Sequence, residues 1–257
     1  MTLSRERALE LQQRGIRDWI ALLGASSEGA SLVRRGGVTA SVCPACPQRS
    51  ICSSVTYTDA GELAATLDEL AAIYDAAGIA AWTVWVPEFD REAIAALEAA
   101  GHELDAAPVA MSLELAGFEP PEVGDLDWDN DVDPADLGRL NDLAYDLPPE
   151  SLLSPALTAP PANPDLRLYQ ARIGGRPACV LGTIDHGGAD LGVYFVATHP
   201  DHRGLGLASR LMTVALGEAI ERGLETSSLQ GSIMGQSVYR RLGYSDDFTL
   251  TMRERRR

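Results

Sequence analysis

An internal repeat is the feature of this sequence that most constrains its fold. Residues 61–78 and 206–223 each carry apolar residues at helical spacing, and each segment begins and ends at an equally spaced pair of glycines. Glycine readily adopts the left-handed conformation that ends a helix. A strand pattern follows each helix, at 81–86 and at 226–231. Such patterns also recur by chance in α/β proteins, but the equal lengths and matching glycines favour a duplication.

A shorter helix and a final strand complete each copy. The helix ends at Gly101 in the first copy and at Gly243 in the second. Between the copies lies a stretch rich in proline and acidic residues, which cannot bury apolar surface and is typical of a linker. The sequence therefore predicts three segments: a domain at 1–117, a linker at 118–128 and a second domain at 129–257.

The second copy has further recognisable elements. A helix is predicted at 134–145 with Asp133 as its N-cap. A loop at 147–164 is long enough to be a substrate loop. Alternating segments joined by two Gly-Gly turns, 174–175 and 187–188, predict an antiparallel meander. We therefore expect an α/β (α+β) fold in which each unit has a mixed, mostly antiparallel sheet flanked by helices.

A glycine-rich loop at 203–209 follows the strand pattern at 193–198 and precedes an apolar helix. Such a turn leaves backbone N–H groups unpaired at the positive end of the helix dipole, where a phosphate or pyrophosphate can bind. A dinucleotide-binding turn would have glycine in place of Ser209, and a P-loop would contain a lysine. The loop thus predicts a phosphate site of another kind.

Two motifs carry a family resemblance. Arg203-x-x-Gly206-x-Ala208 after an antiparallel strand, and Tyr239-x-x-x-Gly243-Tyr244 after a later strand, resemble the signatures of the GNAT superfamily of N-acetyltransferases. The resemblance implies two tandem GNAT-like units with acetyl-CoA as co-substrate and no metal. It also implies transfer of an acetyl group to the amine of a small molecule or peptide, by direct attack in a ternary complex.

The resemblance also implies roles for individual residues. The loop would hold the CoA diphosphate, the backbone of the preceding strand would pair with the pantetheine arm, and Tyr239 would protonate the departing thiolate. At Ser232 the family often has Asn, and at Gly235 it often has Ala. The cofactor-binding residues implied are Val196, Ala197, Thr198, Arg203, Gly204, Leu205, Gly206, Leu207, Ala208, Ser209 and Ser232.

The first copy lacks the decisive residues. Thr58 aligns with Arg203, Leu63 with Ala208 and Leu97 with Tyr239, and we therefore expect a degenerate unit that does not use acetyl-CoA in the same way.

The sequence leaves the general base and the role of the cysteines undecided. His186, Asp190 or a water chain could remove the proton from the amine. Cys179 is disfavoured as a nucleophile because its sequence neighbours include no His or acidic partner. Cys43 and Cys46 have metal-ligand spacing, and Cys52 follows nearby, but the pattern lacks a fourth ligand. We therefore favour reduced thiols beside a turn over a zinc site or a redox pair.

Charge limits the choice of partner. A formal net charge of −16 disfavours nucleic acid and anionic membrane surfaces, and favours a neutral or cationic amine. The first 25 residues lack the pattern of a signal peptide and predict an amphipathic helix, so we expect a cytoplasmic protein. A homodimer is among the assemblies that we consider. Two alternative functions stay open: a non-catalytic acyl-CoA sensor and a purely structural protein.

Overall fold

Two compact units make up the computed structural model, which describes residues 3–158 and 163–257. Unit 1 consists of Met1–Gly15, Ala110–Leu147 and Ala162–Asp247, and unit 2 of Ile16–Val109, Pro148–Pro161 and Phe248–Arg257. Each unit thus combines stretches that are far apart in sequence. The division at 118–128 remains a prediction about the repeat in the sequence, and these compact units do not follow it.

The regular elements alternate between helices and strands. The α-helices are α1 (Arg5–Leu23), α2 (Ala60–Ala76), α3 (Arg91–Ala99), α4 (Pro134–Ala144), α5 (Leu207–Glu221) and α6 (Gln236–Arg241). The strands are β1 (Ser31–Arg35), β2 (Val38–Val42), β3 (Ser54–Thr56), β4 (Ala81–Pro87), β5 (Glu103–Ala106), β6 (Val109–Glu114), β7 (Trp128–Asp129), β8 (Leu166–Ile173), β9 (Arg176–His186), β10 (Asp190–Thr198), β11 (Thr226–Gly231) and β12 (Ser245–Arg256).

In unit 1 the strand order is β6-β11-β10-β9-β8-β7. Strands β7 to β10 form an antiparallel meander, and β11 joins parallel to β10 after the crossover through α5. The meander predicted around the two Gly-Gly turns is confirmed, as is Asp133, whose carboxylate accepts a hydrogen bond from the Ala135 N–H at the start of α4. This arrangement brings the C-terminal end of β10 close to the first turn of α5.

In unit 2 the order is β1-β2-β3-β4-β12, with β5 also paired to β12. All of these pairs are antiparallel except β3 and β4, which are parallel and joined through α2. Both sheets are therefore mixed and mostly antiparallel, as predicted. Strands β1 to β3 were not recognised from the sequence.

The last strands do not complete the sheets of their own repeats. Strand β12, which follows the second repeat in sequence, pairs with β4 in unit 2, whereas β6, which follows the first repeat, lies beside β11 in unit 1. Sequence patterns identify a strand but do not specify its partner when the partner is more than a hundred residues away. The origin of the two units by duplication remains a prediction.

Glycines end four of the helices, as the repeat predicts. After α2, α3, α5 and α6 a glycine with positive φ is followed by a residue whose N–H bonds to the carbonyl five positions earlier, which is the Schellman geometry. These glycines are Gly78, Gly101, Gly223 and Gly243.

The predicted substrate loop at 147–164 partly falls outside the described residues, because it includes 159–162. Its described part contains two short 3-10 helices, Pro149–Ser151 and Ser154–Leu157. Across the described residues, every helix is too short or too polar to span a bilayer.

A buried histidine gives unit 2 a predicted dependence on pH. His102 is 2% exposed, and its ring meets Trp82 edge-on with centroids 4.4 Å apart. Burial is the main cause that lowers its pKa to about 4, and the Arg255 cation acts in the same direction. As the pH falls below 6.5, the ordinary pKa of histidine, His102 therefore binds a proton in the unfolded chain but not in the folded chain.

We expect His102→Leu to make the free energy of unfolding depend less on pH below pH 6.5. Wild-type protein should lose on the order of 3 kcal/mol of unfolding free energy through this residue between pH 6.5 and pH 4. Denaturant titrations of both proteins across this range check the difference. Asp247, whose pKa burial raises to about 6, acts in the opposite direction in both proteins and cancels in the comparison. Identical slopes would contradict the assignment.

Candidate functional site

A cavity of about 450 Å³ lies in unit 1, where the end of β10, the residues after β11 and the first turn of α5 meet. Two stretches of main chain and one buried phenol form much of its wall. Its lining residues are Ala144, Tyr145, Val196, Ala197, Thr198, His202, Arg203, Gly204, Gly206, Leu207, Ala208, Ser209, Ser232, Met234, Gly235, Val238, Tyr239 and Arg241.

One wall is a strand edge beside which no strand of the described residues pairs. Strand β10 pairs with β11 only from Asp190 to Gly192, whereas its pairing with β9 continues to Thr198. A register shift interrupts β10 after Tyr194, and Phe195 there has a φ of 55°. Such a bulge bends a strand and redirects its backbone. The residues beyond it border the cavity on the side that β11 would otherwise occupy.

The second wall is the first turn of α5. The first bond within this helix runs from the Arg210 N–H to the Gly206 carbonyl, so the N–H groups of the three preceding residues have no acceptor within the helix. The N-cap Gly206 provides no side-chain acceptor either. Both Gly204 and Gly206 have positive φ, and a Cβ at Gly204 would meet no atom within 4 Å. The turn is therefore open, with the geometry of an anion site.

In unit 2 the corresponding end of α2 is closed by its own carboxylates. Asp59 accepts a hydrogen bond from the Glu62 N–H at 2.9 Å, and the Glu62 carboxylate accepts one from the Gly37 N–H at 2.5 Å. The N-terminus of α2 thus carries two negative charges where α5 carries none in its first turn. These charges disfavour an anion at the start of α2. That this unit does not use acetyl-CoA in the same way stays a prediction.

The lining of the cavity is basic although the chain as a whole is acidic. Arg203, Arg241 and His202 line it, and no Asp or Glu is among the described residues that do so. The Arg203 guanidinium also donates to the Ala144 carbonyl at the end of α4, which fixes that helix end beside the loop. Two arginines beside a cavity favour a phosphorylated ligand.

The buried phenol is Tyr239 on α6, which is 7% exposed. Desolvation raises its pKa above the ordinary value, with smaller contributions from Tyr145 and Cys179, so the phenol remains protonated at neutral pH. Its ring packs over Gly235: a Cβ there would lie 2.7 Å from Tyr239 Cε2. Glycine at this position therefore allows the ring to lie against the start of α6.

Eleven of the twelve residues predicted from the family resemblance line this cavity. The exception is Leu205, whose side chain is 57% exposed and is not part of the lining. Their roles in binding or catalysis remain predictions. Residues that the sequence did not indicate include Ala144, Tyr145 and Arg241, which come from helices whose ends approach the loop only in the folded chain.

The structure does not bring the candidate bases to the cavity. His186 and Asp190 are fully buried; the His186 ring contacts the Tyr194 hydroxyl at 2.8 Å, and the Asp190 carboxylate accepts from Thr226 and Ser228. The Cys179 thiol is also fully buried, and desolvation raises its pKa to about 11. This supports the prediction that Cys179 is not a nucleophile, because the thiol form predominates at neutral pH.

Comparisons with known proteins agree with this geometry. Residues 189–246 match the family model described as an acetyltransferase (GNAT) domain. A GCN5-related N-acetyltransferase from Kribbella flavida superimposes with a TM-score of 0.66 at 19% identity, over 99% of this chain and 96% of that chain. The fold is that of the GNAT acetyltransferases.

Other GNAT structures are similar over comparable lengths. A GCN5-related N-acetyltransferase from Sphaerobacter thermophilus matches 95% of this chain and 93% of its own, with a TM-score of 0.56 and 15% identity. A tandem GNAT protein from the clavulanic acid biosynthesis pathway matches 97% and 96%, with a TM-score of 0.58 and 14% identity. Curated proteins give no significant sequence match. The predicted resemblance to the GNAT superfamily is thus confirmed, and this fold supports acyl-CoA-dependent acetyl transfer in general.

The contact between Gly235 and the Tyr239 ring yields a testable prediction. Gly235→Ala should displace the ring and destabilise the protein by roughly 1–3 kcal/mol, because an added methyl overpacks a filled site. Denaturant unfolding measures the loss. The matched control is Gly217→Ala inside α5, where the nearest atom is 3.9 Å from the new Cβ and stability should hold or rise by up to about 1 kcal/mol. Equal effects from both variants would contradict the packing argument.

Proposed function

We propose that this protein is an acetyl-CoA-dependent N-acetyltransferase that moves an acetyl group to the amine of a small molecule or peptide by direct attack in a ternary complex. One observation carries the proposal. The uncapped N-terminus of α5 opens onto an acid-free cavity that continues along the unpaired edge of β10 to the buried Tyr239. A helix end for the diphosphate, a strand edge for an amide-bearing arm and a proton donor would thus share one cavity.

The chain's own residues suit the cofactor in charge and shape. The free N–H groups of Leu207, Ala208 and Ser209, with Arg203 and Arg241 nearby, would hold the diphosphate. The edge of β10 at Val196–Thr198 would pair with the amides of the pantetheine arm as an added strand would. Acetyl-CoA supplies the activated acyl thioester.

The donor that polarises the acyl carbonyl would come from the same strand. The His199 N–H bonds to the Ala178 carbonyl on the β9 side. Because N–H groups alternate along a strand, the Thr198 N–H points to the opposite edge, toward the cavity. Thr198 is therefore a better candidate than Ala197 for stabilising the charge that develops on the carbonyl oxygen.

Tyr239 would act as the general acid for the leaving sulfur. Burial keeps its phenol protonated, so it can donate a hydrogen bond and then a proton to the thiolate as the carbon–sulfur bond breaks. The amine must lose its own proton, and since His186 and Asp190 are engaged away from the cavity, we assign that step to water. An acidic chain favours a cationic or neutral acceptor; nucleic acid and membrane are not proposed as partners, and a homodimer in the cytoplasm remains part of the proposal.

Calorimetry and turnover together test the proposal. The purified chain should bind acetyl-CoA, and a panel of small amines and basic peptides should release free CoA thiol. Binding without thiol release for any acceptor would favour the acyl-CoA sensor. Absence of binding would favour a structural protein.

A charge swap tests the anion site directly. Ser209 is the third residue of α5, as Glu62 is of α2, so Ser209→Glu imitates the closed helix end of unit 2. We expect CoA affinity to fall on the order of a hundredfold, because a carboxylate then faces the diphosphate. Ser209→Gln has nearly the same shape without the charge and should lose far less. Equal losses in the two variants would mean that size, and not charge, is responsible.

A second substitution separates chemistry from binding. Tyr239→Phe should lower kcat on the order of a hundredfold, as expected for loss of a general acid, with the CoA dissociation constant nearly unchanged. The control is Tyr244→Phe, which removes a neighbouring buried phenol that contacts Ser227 at 2.6 Å and does not line the cavity. Its turnover per folded molecule should be close to wild type. A large loss of CoA affinity in Tyr239→Phe would instead make Tyr239 a structural residue.

A further inference from the structure

Three cysteines of unit 2 form a buried cluster that the proposed acetyl transfer does not use. Cys43, Cys46 and Cys52 are free thiols with at most 2% exposure, and each thiol is within hydrogen-bonding contact of the other two. Free cysteine packs as a small apolar residue, but its thiol can also be oxidised or bind a metal. The cluster therefore requires a chemical explanation.

The backbone explains why the sulfurs meet. The Cys46 N–H bonds to the Cys43 carbonyl at 3.1 Å, which closes a turn of four residues directly after β2. Cys52 ends a short 3-10 helix, and its N–H bonds to the Arg49 carbonyl. Only the half-buried Pro44 and Ala45 separate Cys43 from Cys46 in sequence, so the two thiols belong to one tight turn.

A metal site is the first alternative. Zinc needs four ligands in tetrahedral geometry, or three with an open position. Among the described residues, no group of three or more His, Cys, Asp or Glu side chains is placed to hold a metal ion. The polar neighbours of the cluster are a hydroxyl and a carbonyl: Ser27 Oγ lies 3.6 Å from Cys43 Sγ, and the Cys46 thiol donates to the Leu153 carbonyl at 3.9 Å. This arrangement favours sulfur chemistry over coordination.

The hydrogen bonds around the cluster assign different roles to Cys43 and Cys46. The Ser27 hydroxyl lies 3.6 Å from the Cys43 sulfur and can donate to it, whereas the Cys46 thiol donates to the Leu153 carbonyl at 3.9 Å and stays a thiol there. The pKa shifts have the same sense: contacts with Cys46 and Cys52 lower the pKa of Cys43, and contact with Cys43 raises the pKa values of the other two thiols. Cys43 is thus the preferred thiolate and Cys46 the adjacent thiol. A thiolate beside a second thiol is the arrangement found in Cys-x-x-Cys redox pairs.

We propose that Cys43 and Cys46 form a reversible disulfide on exposure to a peroxide. The Cys43 thiolate attacks one peroxide oxygen, so the O–O bond breaks and a sulfenic acid forms as hydroxide leaves. Cys46 then attacks the Cys43 sulfur; the S–OH bond breaks, the S–S bond forms, and water departs with the Cys46 proton. Two thiol sulfurs are oxidised, and hydrogen peroxide is reduced to water and hydroxide. The loop closed is very short, so the disulfide gains little from chain entropy and should be easily reduced.

The experiment uses the full chain, reduced and then exposed to equimolar hydrogen peroxide. Remaining thiols are blocked in denaturant, and the unreduced digest is mapped by mass spectrometry. We expect two of the four cysteines to escape blocking, in a species that has lost two hydrogen atoms and contains a Cys43–Cys46 link that dithiothreitol removes. A link between Cys43 and Cys52 alone, or four thiols still open to blocking, would overturn the assignment.

Two variants test the roles of the individual thiols. Cys46→Ser should stop the reaction at the sulfenic acid of Cys43, which a cyclic 1,3-diketone traps. Cys179→Ser removes the buried thiol outside the cluster and should leave the link unchanged. If the isolated chain instead holds a stoichiometric thiophilic metal that protects Cys43 and Cys46 from peroxide, the cluster is a metal site and the proposal is wrong. The mapping of the wild-type chain is decisive even if a variant does not fold.

Discussion

The candidate site depends on the early separation of two parallel strands. Strands β10 and β11 pair over only three residues, and β10 then continues along β9 without β11 beside it. Phe195 at the intervening bulge has a φ of 55°, a conformation that costs a residue with a Cβ on the order of 1 kcal/mol. Backbone strain of this kind persists where the surrounding structure enforces it. Here its effect is to leave a strand edge available inside the cavity.

The two units differ in the side chains at the N-termini of their corresponding helices, α2 and α5. Helices α2 and α5 both connect a pair of parallel strands, so each presents its first turn at the same end of its own sheet. At α2 the Asp59 carboxylate accepts from the Glu62 N–H, and the Glu62 carboxylate accepts from the Gly37 N–H outside the helix. At α5 the N-cap Gly206 has no side chain to accept from the first turn. The two helix ends thus have corresponding positions in their own sheets and differ in the charge of the side chains beside them.

Much of the site could be predicted from the sequence because its parts are local. The glycines of the loop, the strand before it and the Tyr239 motif each lie within a short stretch whose spacing has a physical meaning. The position of Leu205 outside the cavity was not predictable, nor was the hydrogen bond from Arg203 to the Ala144 carbonyl, because both depend on packing between distant segments. The placement of β6 and β12 was missed for the same reason.

Glycine at position 235, where the family often has alanine, affects where the Tyr239 ring can lie. With alanine at position 235, as the family often has, the ring could not occupy its present place, since the Cβ would come within 2.7 Å of it. Glycine there lets the phenol approach the start of α6, whereas a Cβ at Gly231, at the end of β11, would make an ordinary contact with the ring edge at 3.5 Å. The glycine at position 235 therefore sets how closely the ring approaches α6. The phenol proposed as the proton donor and the turn proposed to hold the diphosphate thus depend on different glycines: Gly235 lies against the ring, and Gly204 and Gly206 shape the turn.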